Sequence, residues 1–291
     1  MNVLSEYNYR KRGDEFYTQY ADVEKEMRNY DLAGMVVYCN CDNPEASKFV
    51  AYFRDNFESS GIRKLMATFN GPNPFLYEYD GINERKTPIR SGLFQDNLAL
   101  IRICDIVITN PPFSGGLPAK LIDMLILNNK KFIVMAPLYL ITNKKMFSYL
   151  QNGMLKLGYG SAAYFNTTDG GLSDKMTMYW WTNMDTRKRG ITLTKKYDEA
   201  LYPKFDNIDA IESMTNDIPY DYSGYIGVPI SFLLKYDPNQ FELVGITRPR
   251  LRGKRRSPRL IIRNRNIREG IKKVRITEQA FERIINDICK E

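Results

Sequence analysis

Through the first two thirds of the chain, short continuous apolar runs alternate with stretches whose apolar residues recur at helical spacing. The runs are residues 35–39 (MVVYC), 64–69 (KLMATF), 105–109 (DIVIT) and 131–136 (KFIVMA). Continuity of that kind marks a strand covered on both faces, where a half-exposed strand would alternate. Residues 47–53 (SKFVAYF) and 120–127 carry the helical spacing, the first of them behind the turn-forming Asn40-Cys41-Asp42-Asn43-Pro44. Strands alternating with helices predict an α/β fold with a mostly parallel sheet. Residues 161–165 and 176–181 follow as two strand-like segments with no long helix between them, which predicts a terminal β-hairpin. Beyond about residue 185 the chain turns polar and irregular, so the expected division is 1–184 and 185–291. Residues 277–289 place Ala280, Phe281, Ile284, Ile285 and Ile288 at helical spacing behind Thr277, predicting a packed terminal helix.

Composition narrows the chemistry. The chain has no histidine, which excludes Ser-His-Asp and Cys-His hydrolases and every metal site that needs imidazole. The cysteines Cys39, Cys41, Cys104 and Cys289 are scattered and form no C-x-x-C pair. That argues against a disulfide framework or a zinc site and for reduced, mostly buried thiols in a cytoplasmic protein. No apolar run approaches the ~20 residues that cross a bilayer, and the start has neither an apolar h-region nor a small-residue cleavage site, so neither membrane spanning nor secretion is expected.

Of the 291 residues, which carry a formal charge of +8, those at 243–268 hold Arg248, Arg250, Arg252, Lys254, Arg255, Arg256, Arg259, Arg263, Arg265 and Arg268 and no acid. The remaining 32 basic residues face 34 acids, so the basicity is local. Cations this dense repel one another unless an anion meets them, and a phosphate backbone is the commonest such partner. A solvated basic loop is the bland alternative. Pro249, Pro258 and the apolar Leu260-Ile261-Ile262 interrupt the run as folded structure does, which favours nucleic-acid contact.

In open α/β sheets ligands bind beyond the carboxyl ends of the strands. After the run 105–109 comes Asn110-Pro111-Pro112-Phe113, then Ser114-Gly115-Gly116 and a helix beginning near Leu117. Two consecutive prolines fix φ and remove two backbone donors, leaving a rigid turn that displays carbonyl oxygens beside the Asn110 amide and the Phe113 ring. An ordinary proline-stiffened turn would not need Asn there.

This loop resembles the Asn/Asp-Pro-Pro-Tyr/Phe motif of S-adenosylmethionine-dependent amino-group methyltransferases. Asp14-Glu15-Phe16-Tyr17-Thr18 is similar to the motif upstream of the first strand in adenine-specific DNA methyltransferases. With Cys39-Asn40-Cys41-Asp42-Asn43-Pro44, Ser114, and Tyr225-Ile226-Gly227-Val228-Pro229-Ile230 followed by Phe232, these residues look like the EcoRI-type adenine-specific DNA methyltransferase family, over about residues 10–265.

The resemblance implies a Rossmann-like methyltransferase sheet with a terminal hairpin in a catalytic domain over 1–184, and a smaller basic target-recognition region over 185–291. It implies S-adenosyl-L-methionine as cofactor, double-stranded DNA as partner, and methyl transfer to the N6 amino group of a flipped adenine. Catalysis falls to Asn110, Pro111, Pro112 and Phe113. Cofactor binding falls to Glu15, Phe16, Tyr17, Thr18, Asn40, Asp42, Phe94 and Asn110, with no metal. Ser114, Tyr139, Arg248, Arg250, Arg252, Lys254, Arg255, Arg256 and Arg259 are the candidate nucleic-acid contacts. A monomer is expected, with a cognate restriction endonuclease where the gene belongs to a restriction system.

Departures from the family pattern redistribute these roles. Cys39-Asn40-Cys41-Asp42 stands where many methyltransferases have a Gly-rich loop, so contacts there fall to Asp42 and backbone amides. Phe69-Asn70-Gly71 lacks the acid that often holds the ribose, and Leu93 of Ser91-Gly92-Leu93-Phe94 replaces an acid, with Asp96 a substitute. The chemistry needs no histidine: hydrogen bonds from an adenine amine to the Asn110 side-chain oxygen and the Pro111 carbonyl would localise its lone pair. A base must first leave the duplex, at a cost of a few kcal/mol; Phe113 is the candidate to stack on it, and Tyr17 and Tyr139 are candidates to wall the pocket, with a core role the alternative for either tyrosine. RNA adenine, a protein glutamine amide, and nucleic-acid binding on an inactive methyltransferase fold remain alternatives. The basic region weighs against glutamine, and the intact loop against inactivity.

Overall fold

The computed structural model describes residues 17–40, 42–112, 114–167, 171–187 and 189–267; the helix expected over 277–289 lies outside the described residues. The chain forms two compact units, Met1–Arg187 and Lys188–Glu291.

In the first unit the strands are β1 (Tyr17–Thr18), β2 (Val36–Cys39), β3 (Lys64–Phe69), β4 (Phe75–Tyr79), β5 (Glu84–Pro88), β6 (Ile106–Thr109), β7 (Lys131–Ala136), β8 (Lys156–Ala162), β9 (Phe165–Asn166) and β10 (Met178–Thr182). The helices are α1 (Tyr20–Met27), α2 (Lys48–Asp55), α3 (Phe57–Ser60), α4 (Leu98–Ile103), α5 (Leu117–Leu127) and α6 (Lys144–Gln151). The main sheet runs β5-β4-β3-β2-β6-β7-β10-β8. Its centre, β3-β2-β6-β7, is parallel, and these strands come from the four continuous apolar runs. Val37, Leu65, Ile106, Ile108, Ile133 and Met135 pack with Val23, Phe49, Val50 and Phe53 from the helices in one core. Tyr38, Met66, Val107, Phe132 and Val134 on the opposite face are buried as well, and burial on both faces is why no alternation survives in the sequence.

The sheet is mixed rather than mostly parallel. Both flanks are antiparallel: β4 and β5 on one side, β10 and β8 on the other. The β5 sequence ERKTP has no apolar alternation and is largely exposed, so cross-strand pairing alone makes it a strand. The terminal hairpin has β10 inserted between β7 and β8, and β8 begins at Lys156 rather than at 161. Gly158 and Gly160 hide its start. The buried Glu26 carboxylate of α1 accepts hydrogen bonds from the amides of Tyr159 (2.8 Å) and Gly160 (2.7 Å) and from the Tyr30 hydroxyl (2.7 Å). A Cβ at Gly158 would fall 2.3 Å from Glu26 Oε1. The acid thereby satisfies amides on an edge strand that would otherwise invite pairing.

The second unit is built on the sheet β11-β12-β16-β13, from β11 (Ala210–Glu212), β12 (Tyr225–Pro229), β13 (Phe241–Thr247) and β16 (Arg259–Asn264), with a separate two-stranded ribbon of β14 (Arg250–Leu251) and β15 (Lys254–Arg255). Its core gathers Phe205, Ile208, Ala210, Tyr225, Val244, Leu251 and Ile261. Among the described residues no helix is long and apolar enough to cross a membrane.

Candidate active site

Because β3, β2, β6 and β7 are parallel, the segments that follow them all leave the same edge of the sheet. The chain runs outward from β2 to β3 and returns on the other side to β6, so the order reverses between β2 and β6. That reversal is where open α/β sheets leave a crevice. Asn40 and Asp42 follow β2, and Asn110 follows β6.

The two loops are tied together by Thr109, the last residue of β6. Its hydroxyl lies 2.5 Å from the Asn40 carbonyl oxygen and 2.9 Å from Asp42 Oδ2. Asp42 Oδ1 accepts from Ser47 Oγ at 2.9 Å, and Ser47 is itself the N-cap of α2, accepting from the amides of Phe49 and Val50. Asp42 is only 7% exposed and makes no ion pair among the described residues. Burial pushes its carboxyl up to about 7 against the opposing pull of the Ser47 and Thr109 hydroxyls. Proton counting agrees. Thr109 has one hydroxyl hydrogen for two acceptors, and a protonated Asp42 resolves the conflict by donating to Thr109, which donates to Asn40. Burial likewise raises the neighbouring Cys39 thiol.

A polar seam continues across the sheet. Asn40 Nδ2 donates to the Tyr38 hydroxyl (2.8 Å), which lies 2.9 Å from Thr68 Oγ1. Thr68 donates to the Gly92 carbonyl (3.1 Å), and the Gly92 amide donates to Asn70 Oδ1 (3.2 Å). A Cβ on Gly92 would sit 2.4 Å from the Phe69 carbonyl oxygen, so only glycine fits this approach. Beyond Asn110, Pro111 is buried and Pro112 half-buried, and Gly115 and Gly116 at φ +60° and +68° turn the chain into α5.

A model of the family described as "Adenine-specific methyltransferase EcoRI" matches residues 6–97 and 89–287. The chain belongs to the EcoRI-type adenine-specific methyltransferase family. It is 36% identical over 283 residues to the Type II methyltransferase M.EcoRI of Escherichia coli, covering 81% of this chain and 86% of that protein. Similar relatives are the Type II methyltransferases M.MgeORF184P of Mycoplasma genitalium, 32% identical over 266 residues, and M.MpnI of Mycoplasma pneumoniae, 31% identical over 266 residues; each alignment covers 81% of this chain and 83% of the relative. No solved structure matches the chain.

Set against the residues the family motifs single out, the structure brings Asn40, Asp42 and Asn110 to one edge, with the Asn110 side-chain oxygen buried. Tyr17 and Thr18 pair in β1 with Asn166 and Phe165 of β9, and Thr18 Oγ1 approaches Met135 Sδ of β7 at 3.8 Å. Phe94 is buried and Tyr139 is 56% exposed, so Tyr139 is not a core residue. Asn70 is engaged by Gly92, and Asp96 is exposed. Glu15, Phe16, Phe113 and the Ser114 side chain lie outside the described residues. Cys39 and Cys104 are buried free thiols, and no group of acids and cysteines among the described residues could hold a metal.

Sequence motifs do not single out Thr109, Thr68, Tyr38 or Ser47. A signal exists: β3 and β6 each carry a buried threonine near the end of a mostly apolar strand, at the edge where their hydroxyls meet a loop.

In the second unit the basic run is partly neutralised by acids from distant sequence. Arg256 and Arg259 both bridge to Glu212 (3.1 and 2.9 Å), and Arg263 bridges to Glu242 (2.5 Å) with its guanidinium 6.0 Å from the Tyr225 ring centre. A cavity of about 460 Å³ beside the Glu212 carboxylate is lined by Tyr202, Met214, Glu212, Arg256 and Arg259, among others. Arg248, Arg250, Arg252 and Lys254 are exposed and make no salt bridge among the described residues.

Proposed function

We propose that this chain is a site-specific DNA methyltransferase acting on the N6 amino group of an adenine extruded from the duplex, with S-adenosylmethionine as methyl donor. The observation that carries the reading is the Asn110-Pro111-Pro112 turn joined through Thr109 to the buried Asp42 where the sheet order reverses. The naming of its relatives as Type II methyltransferases and the family's adenine specificity support the substrate assignment.

The donor set suits this cofactor. A buried carboxylate held by two hydroxyls and making no ion pair among the described residues calls for a cationic partner, and the amino group of the methionine moiety is one; Asp42 would hold it, with Asn40, Phe94, Tyr17 and Thr18 as further contacts. When bound, S-adenosylmethionine supplies an electrophilic sulfonium methyl group. The chain's own residues make the adenine nitrogen reactive. Asn110 Oδ1 and the Pro111 carbonyl accept its two amino hydrogens, pulling the lone pair out of ring conjugation. The prolines have no N–H to compete for these acceptors. Phe113 and the exposed Tyr139 stack on the base, and the amine's proton leaves to water.

The test is transfer of a tritiated methyl group to duplex DNA, single-stranded DNA and RNA, with the labelled nucleoside identified. Label in N6-methyldeoxyadenosine from duplex DNA is expected. Asn110→Ala is expected to lower the rate by ~10²-fold or more with cofactor affinity changed only a few fold. Label in RNA alone, or undiminished rate in the variant, would overturn the assignment.

A further inference from the structure

The ribbon β14–β15 has features that packing alone does not explain. Its register sets Arg250 directly opposite Arg255, and like charges facing across a strand pair destabilise it. Its two-residue turn places Arg252 at φ +50° and Gly253 at φ +73°. Paired positive φ values suit the twist of a tight hairpin, but the first is a conformation that favours glycine or asparagine over arginine. The turn is nevertheless held firmly from beneath. Asp206 accepts from the amides of Arg252 (Oδ1, 3.1 Å) and Gly253 (Oδ2, 2.8 Å), Asn207 Oδ1 accepts from the Arg250 amide (2.7 Å), and the Asp206 amide donates to the Arg250 carbonyl (2.8 Å). At the base, Leu251 is buried in the unit's core and the Arg256 amide donates to the Pro249 carbonyl.

The result is a two-stranded ribbon, held at its turn and base by hydrogen bonds, whose Arg250, Arg252, Lys254 and Arg255 side chains are exposed. Arg256, Arg259 and Arg263, neighbouring cations off the ribbon, bridge to Glu212 and Glu242. The cavity beside Glu212 is concave and cannot reach base edges inside a stacked duplex. A two-stranded ribbon can, because the major groove of B-form DNA is wide enough to admit one, whereas the A-form major groove is deep and narrow.

We propose that the β14–β15 ribbon enters the major groove of B-form DNA, with Arg252 reading a base edge, Arg250, Lys254 and Arg255 on phosphates, and Asp206 as the positioning residue that fixes the turn. This rests on the DNA methyltransferase reading above. A guanidinium leaving a locked backbone is suited to the fork-shaped acceptor pair of guanine. The facing Arg250 and Arg255 become favourable once a phosphate lies near both.

Arg252→Gly tests it without unfolding the turn, since glycine prefers that φ. Its melting temperature is expected to equal or exceed that of the parent, while mapping of methylated adenines in genomic DNA shows relaxed preference at one base pair. Asp206→Ala is expected to relax the same position and to add nothing further in the Arg252→Gly background. Replacing Arg250, Lys254 and Arg255 by Gln should flatten the slope of log K against log [salt], measured on a random-sequence duplex, by about 0.9 for each phosphate no longer neutralised, and should weaken all sequences alike. Arg263→Gln should leave the slope unchanged. An unchanged site preference in Arg252→Gly, an unchanged slope in the triple variant, or equal affinity for an RNA duplex would overturn the proposal. The slope is read by binding alone, so its change in a protein that transfers no methyl group would fault the catalytic reading and leave the ribbon standing.

Discussion

Two buried carboxylates in the first unit show how environment decides a residue's task. Glu26 accepts two backbone amides and a phenol, a set that welcomes negative charge and leaves nothing to react. Among the described residues Asp42 meets the Ser47 and Thr109 hydroxyls, and burial lifts its carboxyl to about 7. The consequence for stability has a definite sign. An acid whose folded value lies above its unfolded value near 3.9 binds its proton more tightly in the native state, so stability is fully present below that value and falls as pH rises toward about 7. The span corresponds to about 4 kcal/mol. Asp42→Asn reproduces the protonated pattern, donating to Thr109 and accepting from Ser47, but cannot ionise. Thermal melts should therefore show the variant gaining on the parent between about pH 4 and pH 7, while calorimetry shows cofactor binding weakened by loss of the negative partner. Parallel melting curves across that range would mean that Asp42 is already ionised in the free protein.

At the level of elements, the site is a seam along adjacent strand ends. Thr109 joins β6 to the loop after β2, and the Asn40, Tyr38, Thr68 and Gly92 links carry the connection to β3 and the segment beyond β5. Thr109→Val keeps the shape and deletes the hydroxyl, leaving the buried Asn40 carbonyl short of a donor and the Asp42 carboxyl short of a partner, at about 1–3 kcal/mol each. Methyl transfer at saturating substrates should drop at least about tenfold, and Thr109→Ser should restore it. Equal loss in both variants, tracking a lowered melting temperature, would make the residue merely structural. The seam also marks the limit of what the sequence discloses. The parallel strands and the Asn110 turn are legible because continuous apolar runs and consecutive prolines leave strong local signals. The β4–β5 hairpin and the start of β8 are not, since ERKTP and the glycines of KLGYGSA owe their strand state to partners distant in sequence. The acids that neutralise part of the basic run are invisible for the same reason: Glu212 and Glu242 lie well before the arginines they hold.

For the whole molecule, charge and packing divide along the same boundary. The first unit has 21 basic against 20 acidic residues and the second 21 against 14, so the second carries nearly all of the net +8. A field of that kind raises association rates with polyanions and is screened by salt, whereas the cofactor contact proposed at Asp42 would be a buried pair that salt barely reaches. The hydrophobic cores divide too, with no residue common to both among those described. Ile261 tests whether the division is functional. It is fully buried in β16, between Gly227 of β12 and Gly245 of β13. Ile261→Ala removes methylene groups from the centre of that small core, a loss of about 2–5 kcal/mol. Calorimetric melting of the full chain should then resolve a lowered transition for the second unit beside an unshifted one for the first. Below the lower transition both functions should persist. Between the two, S-adenosylmethionine should still bind while DNA affinity and its salt dependence are lost. A single transition, lowered as a whole and taking cofactor binding with it, would mean that the two units unfold together and that the charge asymmetry is not matched by independent folding.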